Sequence, residues 1–342
     1  MHPETTPSLE RSSADGMRGP SILGWVGSVR LTLPALVALA IGVAVAYDRH
    51  GEGEATWPLV FPLGLLALNL IAAIAVNRAF RRQTALLVFH LALLAIVLLV
   101  AAGRLTYLRG ATEVTSGAAF ETLIAHDAGP WHAGRMADVS FVNQGFTIRY
   151  SPGRTREETI NRVAWRDESG LPRHGEIGDQ SPLVIHGYRF YTTHNKGFAP
   201  LLIWRPFDGK PVRGSVHLPG FPLNEAGQEQ HWRIPGDGQP VFMMLRYEEA
   251  LLDPARHDVF RTPDQHSLVV RQGERRAELR PGESMTLPLG VLTYEGLGTW
   301  MGYAVFYDWT LPWLLAACVL AVLAMAWHFR DKYFARPWPA AD

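Results

Sequence analysis

Thr84-Ala-Leu-Leu-Val-Phe-His90-Leu-Ala-Leu-Leu-Ala-Ile-Val-Leu-Leu-Val100 is the stretch that decides the fold. Extended to Gly103, it runs for twenty residues without Asp, Glu, Lys or Arg. At 1.5 Å per residue such a helix crosses about 30 Å, the thickness of a bilayer's hydrocarbon core. His90 is the only acidic or basic side chain well inside any long apolar segment of the chain. A polar ring in hydrocarbon is costly without a partner, so it marks a candidate site.

Three more segments have the length and apolarity of spans: 31–47, 58–76 and 309–328. The first lies too far into the chain, and is too long, for a cleaved leader. Small residues Ala38, Gly42 and Ala46 give it a face suited to close helix packing, and Asn69 in the second span suits a hydrogen bond between helices. About two hundred polar, Gly- and Pro-punctuated residues separate the third span from the fourth, enough for a domain with its own core. The expected organisation is a disordered tail (1–29), three spans (30–103), a β-rich, sandwich-like domain (104–307), a closing span (308–328) and a short tail (329–342).

Basic residues orient the spans. Arg11, Arg18 and Arg30 precede the first; Arg78, Arg81 and Arg82 link the second and third; Arg330, Lys332 and Arg336 follow the fourth. The link after the first span has one Arg against Asp48, Glu52 and Glu54. Both termini are therefore expected in the cytoplasm, with the large domain outside. Trp57, Tyr107, Trp309 and Trp313 mark the outer interface. The formal net charge is zero and no basic stripe suggests nucleic acid. The one cysteine, Cys318, falls in the fourth span, so the chain has no internal disulfide and no Cys-x-x-Cys pair.

In the large domain, 184–193 reads as a strand, Asn195-Lys196-Gly197 as a turn and 198–204 as the returning strand. Asp208-Gly209 is the next turn, before a strand over 211–218, and Gly273-Glu274 joins a hairpin of 267–272 and 275–279. Strands are expected over 139–150 and 291–295, and the best helical stretch is 241–252. His126, His132, His186, His194, His217, His231, His257 and His266 are scattered without compact metal-site spacing, and read as strand or loop histidines. No phosphate loop, nucleophile elbow or metalloprotease helix is present.

His90 lies roughly 9 Å inside the cytoplasmic end of its span. Neutral imidazole is a good iron ligand and an apolar groove buries a porphyrin face. Metal or haem ligation weighs about equally with a bond to a neighbouring helix, Asn69 being one candidate partner. His328 ends the fourth span beside Phe329 and reads first as an interfacial histidine, second as a haem contact. Its depth differs from that of His90 by about 9 Å on straight helices, so one iron between them is disfavoured.

Three spans, an outer β-rich domain and a closing span, in that order, resemble the ResB family (Ccs1, or CcsB) of system II cytochrome c biogenesis. Phe89-His90-Leu91 leading to Gly103 and Tyr107-Leu-Arg-Gly110 is similar to the family's third span and exit. Gly187-Tyr-Arg-Phe-Tyr191 is similar to one of its strands, and Gly296-Leu297 through Gly302-Tyr-Ala-Val-Phe-Tyr-Asp308 to the run into its last span. Trp309-Thr310 departs from the family's Pro-Gly at that point. The resemblance implies a subunit of a cytochrome c synthase in the bacterial inner membrane, with the large domain periplasmic. It implies a CcsA/ResC-type membrane partner, haem b held within the bilayer, and apocytochrome c as acceptor. His90 would be one axial ligand and the partner would give the other. Such a chain is not an enzyme alone. A membrane-anchored sensor and a structural assembly factor without haem are the rival readings; the tail after the fourth span has no room for a signalling domain.

Overall fold

The computed structural model describes residues 22–48, 56–178, 180–234 and 239–334. The expected tails over 1–21 and 335–342, with Arg11, Arg18 and Arg336, lie outside the described residues, as do 49–55 of the first link. The chain forms two units, Met1–Arg104 with Thr310–Asp342, and Leu105–Trp309.

The first unit is helical: α1 (Ile22–Val26), α2 (Val29–Asp48), α3 (Trp57–Val76), α4 (Arg78–Arg82), α5 (Thr84–Thr106) and α6 (Leu311–Tyr333). Helices α2, α3, α5 and α6 are each long and apolar enough to cross a membrane. α3 and α6 each carry Pro within the first two positions, where a missing N–H costs nothing. The α2 contact uses small residues, but Ala35 rather than Ala38 completes it: Ala35, Gly42 and Ala46 are buried while Ala38 is exposed. A Cβ on Gly42 would stand 2.1 Å from the carbonyl oxygen of Pro58, so only glycine permits that approach of α2 to α3. Residues 22–29 are not part of a disordered tail. They form α1 and the start of α2, because Asn69 Nδ2 donates to the carbonyls of Val26 (2.6 Å) and Ser28 (3.1 Å) and its Oδ1 accepts from Thr32 Oγ1 (2.8 Å).

The second unit is built on two long antiparallel strands, β7 (Tyr188–Pro206) and β15 (Gly290–Tyr307). Eighteen extended residues span about 60 Å. At the near end, where the chain enters from α5 and leaves toward α6, β15 also pairs β1 (Leu108–Thr115), which pairs β2 (Ala125–Ala128), and β7 pairs β6 (Leu183–Ile185). At the far end β15 pairs β14 (Ser284–Leu287) and β7 pairs β8 (Val212–Ser215). A second sheet joins β3 (Phe141–Ser151), β4 (Thr155–Arg166), β5 (Pro172–Ile177) and β11 (Asp258–Val259). A third joins β9 (Glu229–Arg233), β10 (Pro240–Arg246), β12 (Ser267–Gln272) and β13 (Arg275–Leu279). One core lies between the near half of the long pair and the second sheet, around Phe141, Ile148, Val163, Tyr188, Phe190 and Tyr303. The other lies between the far half and the third sheet, around Leu202, Val241, Met243, Leu268 and Leu292. The unit is thus two sandwiches end to end on a shared pair of strands.

Two expected elements differ. Residues 241–252 begin as strand β10, because Val241, Met243 and Leu245 alternate inward with the period of a strand. Asn195-Lys196-Gly197 does not reverse the chain. Three residues, Thr193 to Asn195, bulge opposite Gly302, and β7 continues. Thr193 Oγ1 donates to the Gly302 carbonyl (3.0 Å) and accepts from the Asn195 amide (3.1 Å). The reversal falls earlier, at His186-Gly187, both with positive φ, between paired Ile185 and Tyr188.

Candidate functional site

His90 lies in the first third of α5, half-buried. Its Nδ1 is 2.8 Å from the carbonyl oxygen of Leu86, one turn back. A carbonyl only accepts, so Nδ1 carries the hydrogen and the neutral ring keeps its lone pair on Nε2. The ring packs against Phe80 of α4 (centroids 4.5 Å apart) and meets Phe89 edge-on (5.3 Å). Asn69 is not its partner, because that amide is engaged with Val26, Ser28 and Thr32. The donor set therefore fits an iron ligand: a backbone bond that fixes tautomer and ring plane, a basic Nε2 and aromatic walls. His328 is half-buried on α6 with its ring edge-on to Phe329 (5.8 Å). Among the described residues no three His, Cys, Asp or Glu side chains gather as a metal site.

The near end of the strand unit gathers a second polar cluster. The segments 107–110, 187–191 and 302–308 become neighbours there, since β15 lies between β1 and β7 with Tyr307 opposite both Leu108 and Tyr188. Tyr188 is fully buried, and its hydroxyl is 2.9 Å from His132 Nε2. His132 Nδ1 donates to the Thr106 carbonyl (2.8 Å), so Nε2 accepts from Tyr188. Burial, with Tyr307 adjacent, raises the Tyr188 pKa, which keeps that proton in place. A Cβ on Gly134 would stand 1.9 Å from the Tyr188 hydroxyl. Both nitrogens of His132 are thus used within the protein, and they tie the 129–134 loop to the last residue of α5 and the first of β7.

A model of the ResB-like family matches residues 70–332. The chain belongs to the ResB-like family. Membership supports a role in cytochrome c biogenesis, and four of its helices are long and apolar enough to cross a membrane. No curated protein matches the sequence. Among solved structures, "Cytochrome c Heme Lyase CcmF" is similar at 16% identity and a TM-score of 0.22, over 90% of this chain and 38% of that one. This chain therefore spans less than half the length of that one.

The ResB-like match includes α5 with His90, the whole strand unit and nearly all of α6; α1 and α2 precede it. Two further histidines of this ResB-like chain hold internal bonds. His217 Nδ1 donates to Glu113 (2.9 Å) and its Nε2 accepts from Thr115 Oγ1 (2.9 Å), whose oxygen is 2.6 Å from Ser215 Oγ. The His217 ring stacks on Trp300 (5.1 Å, 14°). His266 Nδ1 is hydrogen-bonded to the Tyr294 hydroxyl (3.0 Å). Sequence reading missed these pairings, since partners 28 to 104 residues apart leave no local signal. It also missed Asn143 and Asn161, fully buried, which with Tyr303 form a bonded polar chain inside the first core. Alternation was the available clue for these, with polar residues standing at inward positions of β3 and β4.

Proposed function

We propose that this chain is the ResB-like subunit of a membrane cytochrome c synthase of the system II type. It holds haem b within the bilayer through Nε2 of His90 and supports its attachment to apocytochrome c outside the cytoplasm. The observation that carries this reading is the Leu86 bond to Nδ1, which leaves Nε2 as a lone-pair donor with Phe80 and Phe89 alongside. The ring also packs on Phe80 of α4, but its hydrogen bond stays within its own helix. Haem is the cargo, and supplies the vinyl groups to which a Cys-x-x-Cys-His peptide is joined. Leu86 orients the imidazole, and the aromatic rings exclude water from it.

Arg30, Arg78, Arg82, Arg330 and Lys332 favour cytoplasmic termini in the bacterial inner membrane, with the strand unit on the periplasmic side. His90 then lies toward the cytoplasm, and the second axial ligand comes from a CcsA/ResC-type partner rather than from His328. The strand unit serves as a platform for partner or apocytochrome, making this a non-catalytic or co-catalytic subunit.

The test is the visible spectrum of the chain purified with a co-expressed CcsA-type partner. Wild type should show a bis-imidazole haem spectrum, and His90→Ala should lose or alter it, with partial recovery on adding imidazole. His90→Ala should stay inserted, because the bond it removes lies within one helix. His328→Ala should leave the spectrum unchanged. Normal haem content in His90→Ala removes the ligand role; a colourless wild-type complex favours a structural assembly factor.

A further inference from the structure

We propose that Pro130-Trp131 is a membrane-docking turn, seated in the headgroup–acyl boundary of the leaflet at which α5 ends. Gly129–His132 is a β-turn closed by the His132 amide donating to the Gly129 carbonyl (2.9 Å), with Pro130 at its first central position. The turn is tied to three successive residues at the exit of α5. Trp131 N donates to the Leu105 carbonyl (2.8 Å), His132 Nδ1 to the Thr106 carbonyl (2.8 Å) and Gly129 N to the Tyr107 carbonyl (2.9 Å). Trp309 Nε1 donates to Thr106 Oγ1 (2.9 Å), bringing a second indole to the same residue.

The depth follows from length. From Thr84, twenty residues of α5 cover the ~30 Å hydrocarbon core, so Leu105 and Thr106 stand about 3–5 Å beyond it, in the interfacial layer. A backbone hydrogen-bonded to Leu105 shares that depth. Yet the Trp131 indole, on a turn fixed by proline and four hydrogen bonds, is 63% exposed. A large amphipathic ring held rigidly at this level fits the water–lipid boundary, where its apolar body is buried and its N–H stays wet. The turn gives the strand unit a lipid contact besides its two chain connections. It does not depend on the haem reading.

The test uses full-length protein in phosphatidylcholine nanodiscs. In a Cys318→Ser background, Trp131→Cys and, separately, Leu289→Cys are labelled with bimane. Leu289 is exposed beside the far end of β15. Lipid bearing a nitroxide on its headgroup should quench the 131 label several-fold more than the 289 label. Ala133→Cys, exposed on the same loop, provides the same reading if Trp131→Cys fails to assemble. A label at 131 quenched no more than one at 289 overturns the proposal, whether water or protein covers the turn.

Discussion

The two units put their apolar side chains in opposite places. In the strand unit Tyr188, Phe190, Phe198, Tyr303 and Val305 have no exposed surface. In the helical unit Leu33, Val37 and Ile41 of α2, Phe61 and Leu68 of α3, Leu98 of α5 and Leu315, Val322 and Leu323 of α6 stand exposed. The strand unit is built for water and must bury what water rejects. The helices are built for hydrocarbon, where a leucine gains little by leaving lipid. Small residues and one amide hold α1, α2 and α3 together instead.

The comparison breaks first at single large side chains. Phe190→Ala empties a site packed against Phe120 and Phe141 and should cost about 3–5 kcal/mol in the strand unit. Leu98→Ala, at a similarly apolar residue on α5, should change stability within about 0.5 kcal/mol. Pulse proteolysis of the full-length chain across a urea series reads both. Equal losses would mean that protein within this chain, not lipid or a partner, covers Leu98.

Gly42→Leu sharpens it from the other side. The new side chain meets the Pro58 backbone, which cannot yield, and should cost about 1–3 kcal/mol or part α2 from α3. Ala38→Leu, four residues earlier and exposed, should be close to neutral. Crosslinking between cysteines placed on α2 and α3 measures the separation. If the two substitutions behave alike, the small-residue contact is not what joins these helices.

The same contrast explains what sequence could show. The spans are local signals, and those read at 31–47, 58–76, 84–103 and 309–328 fall within α2, α3, α5 and, from Leu311, α6. The Gly273-Glu274 hairpin is local too, as is the Asp208-Gly209 reversal before β8. Asn195-Lys196-Gly197 misleads because turn residues also make bulges, and only the partner strand, a hundred positions away, decides which. Residues 241–252 read as the best helical stretch, but 240–246 pair with β9 and β12, which imposes a two-residue period. His90 was visible because lipid makes any polar side chain conspicuous. In the strand unit a histidine is unremarkable, and the Glu113–His217–Thr115 and Thr106–His132–Tyr188 chains emerge only once distant strands are paired.

A smaller effect concerns acidity. Burial lowers the pKa of His266, whose Nδ1 is hydrogen-bonded to the Tyr294 hydroxyl. The unfolded chain then binds a proton that the folded chain resists. Its stabilising contribution is complete above the ordinary value of 6.5 and is lost as pH falls toward the lowered folded value. The strand unit's urea midpoint should therefore drop between pH 7.5 and 5.5, by a fraction of the Phe190→Ala effect, and His266→Gln should flatten that slope. An unchanged slope in the variant would assign it to another group.

The smallest expected effect is at Cys318, the chain's one thiol, exposed on α6. Ser differs from Cys by a smaller, more polar atom, and its hydroxyl can bond back to a carbonyl of the preceding turn of its own helix. Exposed to lipid or a partner, the position has no packed cavity to lose. Cys318→Ser should change stability by less than about 0.5 kcal/mol and leave cytochrome c yield unaltered. The result bears on chemistry as well as packing. Thioether formation needs thiols, and a lone cysteine within a span is badly placed to supply one to a peptide outside the bilayer. If Cys318→Ser abolished cytochrome c production with the protein still inserted, α6 would have to carry a thiol step. The proposed division, haem at the helical unit and attachment at the strand unit, would then fail.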